Sequence, residues 1–180
     1  MILRDDFYQR ENVTDIAREL LGKIIFSRID QEVTGGIITE TEAYAGVIDR
    51  ASHAFNERRT SRTKVMYKPG GVAYIYLCYG IHHLFNFVTG PEEIPHAVLL
   101  RGIYPRIGLN IMEQRRNMKF RQNGFSDGPG KVTQCLGLSV QDNGKKIGGD
   151  SVWVEDCGIR LFKSNIYTGP RIGVDYAGED

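Results

Sequence analysis

Short runs of alternating apolar and polar positions recur along the chain, and this pattern is typical of β-strands. The runs cover residues 23–29, 35–44, 71–89, 96–105, 151–157 and 159–163. The run 71–89 is long enough for two strands, and Gly80 within it allows a turn, so it predicts a hairpin. Residues 30–36 predict a turn between the first two strands.

Apolar residues at helical spacing predict helices between some of these strands. The clearest set is Val13, Ile16, Leu20 and Leu21. Thr14 is a suitable N-cap for this helix, and Gly22 is placed to end it. Further helical segments are predicted after residue 105 and from Lys131, which follows a Gly-Pro-Gly turn. Because most strands are separated by turns and the helices are interspersed irregularly, the sequence predicts an α+β fold rather than βαβ repeats.

Composition bounds the class of protein. The 180 residues contain no long linker, so a single domain is expected. A hydrophobic content of 41% and a charged content of 25% exclude a disordered or a membrane-embedded chain. The first residues, "MILRDDFYQRENV", lack the apolar stretch of a signal peptide. We therefore expect an intracellular protein, cytoplasmic and nucleoid-associated if it is bacterial.

Charge and cysteine content add little on their own. The formal net charge of +1 neither indicates nor excludes a nucleic-acid partner. Residues 56–64 and 112–121 are locally basic, and each segment fits a solvated surface as well as an anion-binding one. Cys78, Cys135 and Cys157 form neither a CxxC pair nor an even set, which predicts reduced thiols rather than zinc ligands or disulfides. Cys78 is expected to be buried.

A polar residue follows an apolar strand run at three places in the sequence. Glu42 follows "GIIT", Asn86 follows "HLF", and Arg101 follows "AVLL". If these strands are neighbours in one sheet, a carboxylate, an amide and a guanidinium converge in one pocket. Alternation also places Tyr74 and Tyr76 on one face of their strand.

The stretch "ITETEAYAG" raises the question of what Glu42 does. It fits either a strand that runs out into solvent or a general base beside an arginine. The tyrosines likewise fit a half-buried core or a platform on which a nucleobase stacks. Together with a basic loop, these residues suggest hydrolysis of an N-glycosidic bond.

Five blocks of the sequence carry a family resemblance: "ITETEAYAGVIDRASHAF", "YIYLCYGIHHLFN", "AVLLRGIYP", "DGPGKVTQCLGL" and "TGPRIGV". In this order and spacing they resemble the alkyladenine (3-methyladenine) DNA glycosylases, of the vertebrate and bacterial type with the "ETEAY" motif. The resemblance implies one mixed domain over residues 1–180, with a curved, mainly antiparallel sheet flanked by helices. It also implies that the protein flips alkylated or deaminated purines out of double-stranded DNA and hydrolyses the N-glycosidic bond that joins each of them to its sugar.

The resemblance assigns roles around the reacting bond. Glu42 matches the general base that activates water, and Arg101 and the backbone carbonyl of Ile172 match the groups that help hold that water. The residues that match those contacting the flipped base are Tyr44, His53 and Tyr76. Asn86 matches the asparagine at the pocket floor that clashes with the 2-amino group of guanine.

The resemblance also assigns DNA contacts. Tyr79 matches the side chain that wedges into the minor groove. Arg58, Thr60 and Arg62 match phosphate contacts, and Lys131 is a weaker phosphate candidate. A monomer without a metal or organic cofactor is implied. Because no lysine lies in the matching pocket motifs, we expect base removal without strand cleavage.

The C-terminal end is expected to be shorter than usual, because members of the family continue through a further strand.

Two alternatives to the DNA glycosylase function stay open. A hydrolase of free nucleosides would not need Tyr79 as a wedge, and a non-catalytic nucleic-acid-binding β module would not need Glu42.

Overall fold

The computed structural model of the protein describes residues 1–178. Within them, six strands form one curved sheet in the order β3-β4-β5-β2-β1-β6, and every pairing is antiparallel. The strands are β1 Ile24–Ile29, β2 Glu32–Tyr44, β3 Ala73–Cys78, β4 His82–Thr89, β5 His96–Ile107 and β6 Val152–Glu155. The α-helices are α1 Asp5–Tyr8, α2 Val13–Leu20, α3 Leu109–Arg116 and α4 Pro129–Leu136. The predicted α+β fold, with a mainly antiparallel sheet, is confirmed.

Helix α2 illustrates how local sequence determines where a helix begins and which face it buries. Val13, Ile16 and Leu20 are buried against the sheet, as their spacing predicts. The helix begins two residues earlier than predicted, because the N-cap is Asn12 and not Thr14. The Asn12 side chain accepts hydrogen bonds from the amides of Thr14 and Asp15, at 3.0 and 3.2 Å.

The turn between β1 and β2 is tighter than its glycines suggest. It consists of Asp30 and Gln31, both with positive φ, and β2 begins at Glu32. Gly35 and Gly36 lie inside β2 because neighbouring atoms approach their backbone closely. A Cβ atom on Gly35 would lie 2.8 Å from the Phe26 ring, and one on Gly36 would lie 2.9 Å from a backbone carbonyl oxygen.

The β3–β4 hairpin is confirmed, and its three-residue loop carries two residues with positive φ. These are Tyr79, at 51°, and Gly80, at 73°. Cys78 at the end of β3 is only half-buried, so its predicted burial is wrong, since it sits beside the exposed loop.

The segment after β6 does not form the strand predicted for residues 159–163. Those residues are largely exposed, and a one-turn 3-10 helix begins at Lys163. Leu161 instead packs over Gly22, where a Cβ would lie 3.3 Å from its Cδ1 atom. Apolar alternation alone does not make a strand when the segment pairs with no sheet edge.

No helix within residues 1–178 is long and apolar enough to cross a bilayer.

Candidate active site

A cleft of about 670 Å³ lies over one part of the sheet. Its floor includes four residues that lie directly opposite one another across β3, β4, β5 and β2, namely Tyr74, Asn86, Leu99 and Glu42. Because residues opposite one another share a face of the sheet, their side chains point into one space. The predicted convergence of Glu42, Asn86 and Arg101 is therefore found, since Arg101 also lines the cleft.

The carboxylate of Glu42 is buried at one side of the cleft, with 8% of the residue exposed. Its Oε2 atom accepts a hydrogen bond of 2.8 Å from the Tyr44 hydroxyl. Its Oε1 atom accepts one of 2.8 Å from the Ile172 amide and lies 3.4 Å from Nε of Arg101. These donors compensate for the burial of a negative charge, which would otherwise be costly. A buried carboxylate held in this way is suited to accept a proton.

Arg101 reaches Glu42 through an irregularity in the β2–β5 pairing. The register shifts on both sides of Glu40, which pairs with Gly102. Such shifts re-aim side chains locally. As a result, Nε of Arg101 contacts both glutamates of the "ETE" stretch, at 3.1 Å from Glu40 and 3.4 Å from Glu42. The two carboxylates thus share one cation, although Glu40 is exposed and Glu42 is buried.

Ile172 reaches the site from the C-terminal segment, 130 residues away from Glu42 in sequence. Its contact with Glu42 is made by the backbone amide, whereas the role that the resemblance implies for Ile172 is that its backbone carbonyl helps hold water. The amide donates to the carboxylate, a contact that the sequence did not predict. The role of the carbonyl toward water stays a prediction.

Aromatic rings form a cluster on the opposite side of the cleft. The His53 ring packs edge-on against Tyr76, with centroids 4.6 Å apart, and Tyr74 and Tyr76 lie 5.4 Å apart. The predicted shared face of the two tyrosines is confirmed. His53 Nδ1 lies 2.8 Å from the Tyr74 hydroxyl. Tyr44 lines the cleft as well, and the Arg171 guanidinium lies 4.8 Å from the centre of its ring.

Burial changes the proton affinity of this cluster. It raises the pKa of Tyr44 well above its ordinary range, with a further rise from Glu42, and raises the pKa of Tyr74 to about 12. Burial, together with the cations of Arg62 and Arg58, lowers the pKa of His53 to about 4. His53 is therefore neutral near pH 7, so its imidazole adds no positive charge of its own to the cleft.

The low pKa of His53 predicts that acid destabilises the protein. In the unfolded chain the imidazole titrates near its ordinary pKa of ~6.5, so between this value and about 4 the unfolded state binds more protons than the folded state. Stability is lost as pH falls through this window. Between pH 7 and pH 5, we expect the wild type to lose about 1–2 kcal/mol more free energy of unfolding than the His53→Gln variant. Urea unfolding at both pH values measures the difference, and equal losses would contradict it.

Asn86 and Tyr79 occupy opposite extremes of exposure. Asn86 is buried, and its side-chain nitrogen donates to the backbone carbonyls of Tyr74 and Leu84, at 3.1 and 3.4 Å. These bonds fix the amide in the floor of the cleft. Tyr79 lies at the tip of the β3–β4 hairpin and is 91% exposed at the rim.

The predicted phosphate contacts differ in their relation to the cleft. Arg62 lines it, with its guanidinium 6.0 Å from the Tyr76 ring centre. Arg58 and Thr60 are exposed on the same loop outside the cleft, and Thr60 bonds with Thr63. Lys131 lines the other end of the cleft, where Nζ lies 2.9 Å from Asp127 Oδ1. Helix α4 packs against the sheet and brings Lys131 to the rim of the cleft, so a lysine lies near the pocket although none was found in the pocket motifs themselves. Base removal without strand cleavage stays a prediction.

Two residues of the site were missed by reasoning from the sequence. Arg171 donates to the carboxylate of Asp49 through both terminal nitrogens and also contacts the Ala43 carbonyl, at 3.1 Å. Asp49 stands in "GVIDRAS" and Arg171 in "TGPRIGV", both within the blocks of the resemblance, but no local pattern marks them as partners. Their interaction becomes evident only in the folded structure, where the two side chains are in contact.

No cluster of three or more His, Cys, Asp or Glu side chains that could hold a metal ion occurs within residues 1–178.

The sequence matches known proteins over nearly its whole length. The sequence model of the family described as Methylpurine-DNA glycosylase matches residues 6–180.

Individual relatives agree with this match. A protein of Chlamydia pneumoniae with the provisional name 3-methyladenine DNA glycosylase is 42% identical over 99% of this chain and 90% of its own length. Proteins with the same provisional name from Clostridium perfringens (strain 13) and Bacillus subtilis (strain 168) are 38% and 40% identical. These alignments cover 99% and 96% of this chain, and 91% and 85% of the relatives.

Proposed function

The chain belongs to the methylpurine-DNA glycosylase family, and from this premise we propose that it excises alkylated or deaminated purines from double-stranded DNA. The names of its relatives describe a DNA repair hydrolase that cleaves the bond between base and sugar. We further propose the "ETEAY" type of this family and a monomer acting on damaged duplexes. The observation that carries the catalytic proposal is the buried Glu42 carboxylate beside the aromatic cleft.

In the proposed reaction, Glu42 acts as general base. A water oxygen attacks the sugar C1′ atom while the carboxylate accepts a proton from that water. The bond between C1′ and the base nitrogen breaks, and its electron pair leaves with the base. A cationic alkylated purine departs as a neutral molecule, so its departure needs no proton donor. Arg101 and the Ile172 carbonyl are proposed to hold the water, and a single carboxylate fits direct displacement.

The flipped base is proposed to stack among Tyr44, His53 and Tyr76. Electron-rich rings attract a cationic purine by roughly 0.5–2 kcal/mol, and the neutral state of His53 near pH 7 preserves that gain. Asn86 is proposed to exclude guanine by contact with its 2-amino group. The Asn86 side chain is buried and donates two hydrogen bonds, which supports this role, because it cannot move aside without losing them.

DNA contacts are proposed at the rim of the cleft. Tyr79 would fill the space that the flipped nucleotide leaves, and its exposure at the hairpin tip supports this role. Arg58, Thr60, Arg62 and Lys131 would contact phosphates. We also propose that the backbone is not cut, because a Schiff base needs a free amine, whereas Nζ of Lys131 is engaged by the Asp127 carboxylate at 2.9 Å.

Incubation of excess protein with duplexes that carry one 7-methylguanine or hypoxanthine tests this function. We expect the base to be released and strand breaks to appear only after alkali, whereas the matched undamaged duplex stays intact. Breaks without alkali would contradict the absence of strand cleavage, and the Lys131→Gln variant would then show whether this lysine is responsible.

Two further outcomes separate the alternatives. Release from free nucleosides as fast as from the duplex would indicate a nucleoside hydrolase. Salt-sensitive duplex binding without release would indicate a binding module, because phosphate contacts weaken as salt rises.

A further inference from the structure

The ion pair between Asp49 and Arg171 lies beside the cleft, and the proposed chemistry gives it no task. Both side chains are largely withdrawn from water, with 5% of Asp49 and 15% of Arg171 exposed. Burial raises the pKa of Asp49, but hydrogen bonds from Arg171 and from the amides of Ala45 and Ala51 outweigh it and lower the pKa below its ordinary value. The pair is therefore charged and geometrically fixed near pH 7.

Arg171 lies next to both groups that donate hydrogen bonds to the Glu42 carboxylate. It precedes Ile172, whose amide donates to Oε1. Its guanidinium also lies against the ring of Tyr44, whose hydroxyl donates to Oε2. A shift of Arg171 would therefore move the donors on both carboxylate oxygens.

Asp49 fixes the other half of the arrangement. Its carboxylate accepts 2.9 Å hydrogen bonds from the amides of Ala45 and Ala51. These amides bracket the loop that connects Tyr44 to His53, so one side chain sets the spacing between the two sides of the proposed base stack.

The pair is one of the main polar anchors of the C-terminal segment. Among the described residues, the hydrogen bonds that join 159–178 to the rest of the chain come from Arg171 and Ile172. Elsewhere the segment is largely exposed, with Phe162 74% and Tyr167 92% accessible. Without Arg171, the Ile172 backbone would lose its main constraint.

We propose that Asp49 and Arg171 are positioning residues for the reaction, which hold Ile172 and Tyr44 on the Glu42 carboxylate. This inference rests on the proposed glycosylase function. It predicts a loss in the rate of the chemical step rather than in DNA affinity, because neither residue is among the groups assigned to DNA contact. Misplacement of groups around a reacting centre by a fraction of an ångström costs rate in this way.

The Arg171→Lys variant tests the inference, because lysine keeps the charge but loses the planar fork that binds Asp49 and covers Tyr44. In single-turnover assays with saturating protein on a 7-methylguanine duplex, we expect the rate constant to fall about tenfold. The half-saturating protein concentration should stay within about threefold of wild type. Asp49→Asn should give a similar loss.

Two controls separate positioning from stability. Arg10→Lys changes a pair with Glu19 that has the same two-bond geometry but is more exposed and does not line the cleft, and it should leave the rate unchanged. In a Glu42→Gln background, Arg171→Lys should cause little further loss, because both changes act through the same carboxylate. A partly unfolded variant lowers the amount of active protein, whereas the saturated rate constant of the folded fraction persists.

The outcomes distinguish this inference from the function on which it rests. An unchanged saturated rate constant for Arg171→Lys and Asp49→Asn, with only a lower free energy of unfolding, would overturn the positioning role alone. Full additivity with Glu42→Gln would also overturn it. Absence of base release by the wild type would overturn the proposed function, and this inference with it.

Discussion

Replacement of Glu42 by glutamine is expected to slow base release from a 7-methylguanine duplex by about 10²–10⁴-fold, the usual contribution of a general base. Glutamine has the same shape, but its neutral amide cannot accept the proton of the attacking water. The change should not unfold the protein, because Arg101 keeps its contact with Glu40 at 3.1 Å. Single-turnover kinetics with excess protein measures the effect independently of product release.

Glu40→Gln is the matched control for this prediction. It removes the same charge two residues away, from an exposed carboxylate that contacts the same arginine. We expect less than about a fivefold loss, because an exposed ion pair contributes little. Duplex affinity should be similar for both variants and the wild type. Equal losses for Glu40→Gln and Glu42→Gln would refute a specific role for Glu42 and would indicate that only the shared charge around Arg101 matters.

Local sequence was sufficient to predict the part of the site built on the β3–β4 hairpin. Its alternating pattern places Tyr74 and Tyr76 on one face, and the glycine in its turn places Tyr79 at the tip. Each of these features depends on neighbours within a few residues. The convergence of Glu42, Asn86 and Arg101 also followed, once three strands were assumed to be adjacent.

Other features depend on distant parts of the chain and could not be predicted. Arg101 reaches two glutamates only because the β2–β5 register shifts around Glu40. Arg171 meets Asp49 across 122 positions of sequence. Gly35 was predicted both at the end of the turn and at the start of the strand; it lies inside β2, where the Phe26 ring leaves no space for a side chain. In each case a tertiary contact overrides a local signal.

Alanine at position 79 is expected to slow base release from a fully paired duplex by about 100-fold. Extrusion of a nucleotide costs a few kcal/mol of lost stacking and pairing, and the wedge is proposed to offset part of that cost. A loss of about 2–3 kcal/mol corresponds to this change in rate. Because Tyr79 is 91% exposed, its ring packs against little of the folded protein, and the free energy of unfolding should hardly change. Single-turnover release and urea unfolding measure the two quantities.

The dependence on the DNA substrate identifies the wedge. Tyr79→Phe keeps the ring and should retain most of the activity, whereas the loss in Tyr79→Ala should shrink to a few-fold on single-stranded DNA. A base in a single strand has no pairing partner to leave, so a side chain that fills the vacated space gains little there. If Tyr79→Ala lost the same factor on duplex and on single strand, the residue would act on the base or on the backbone, and the wedge role would be wrong. Because the same variant is compared on duplex and on single strand, any backbone strain at the positive φ of residue 79 affects both measurements equally.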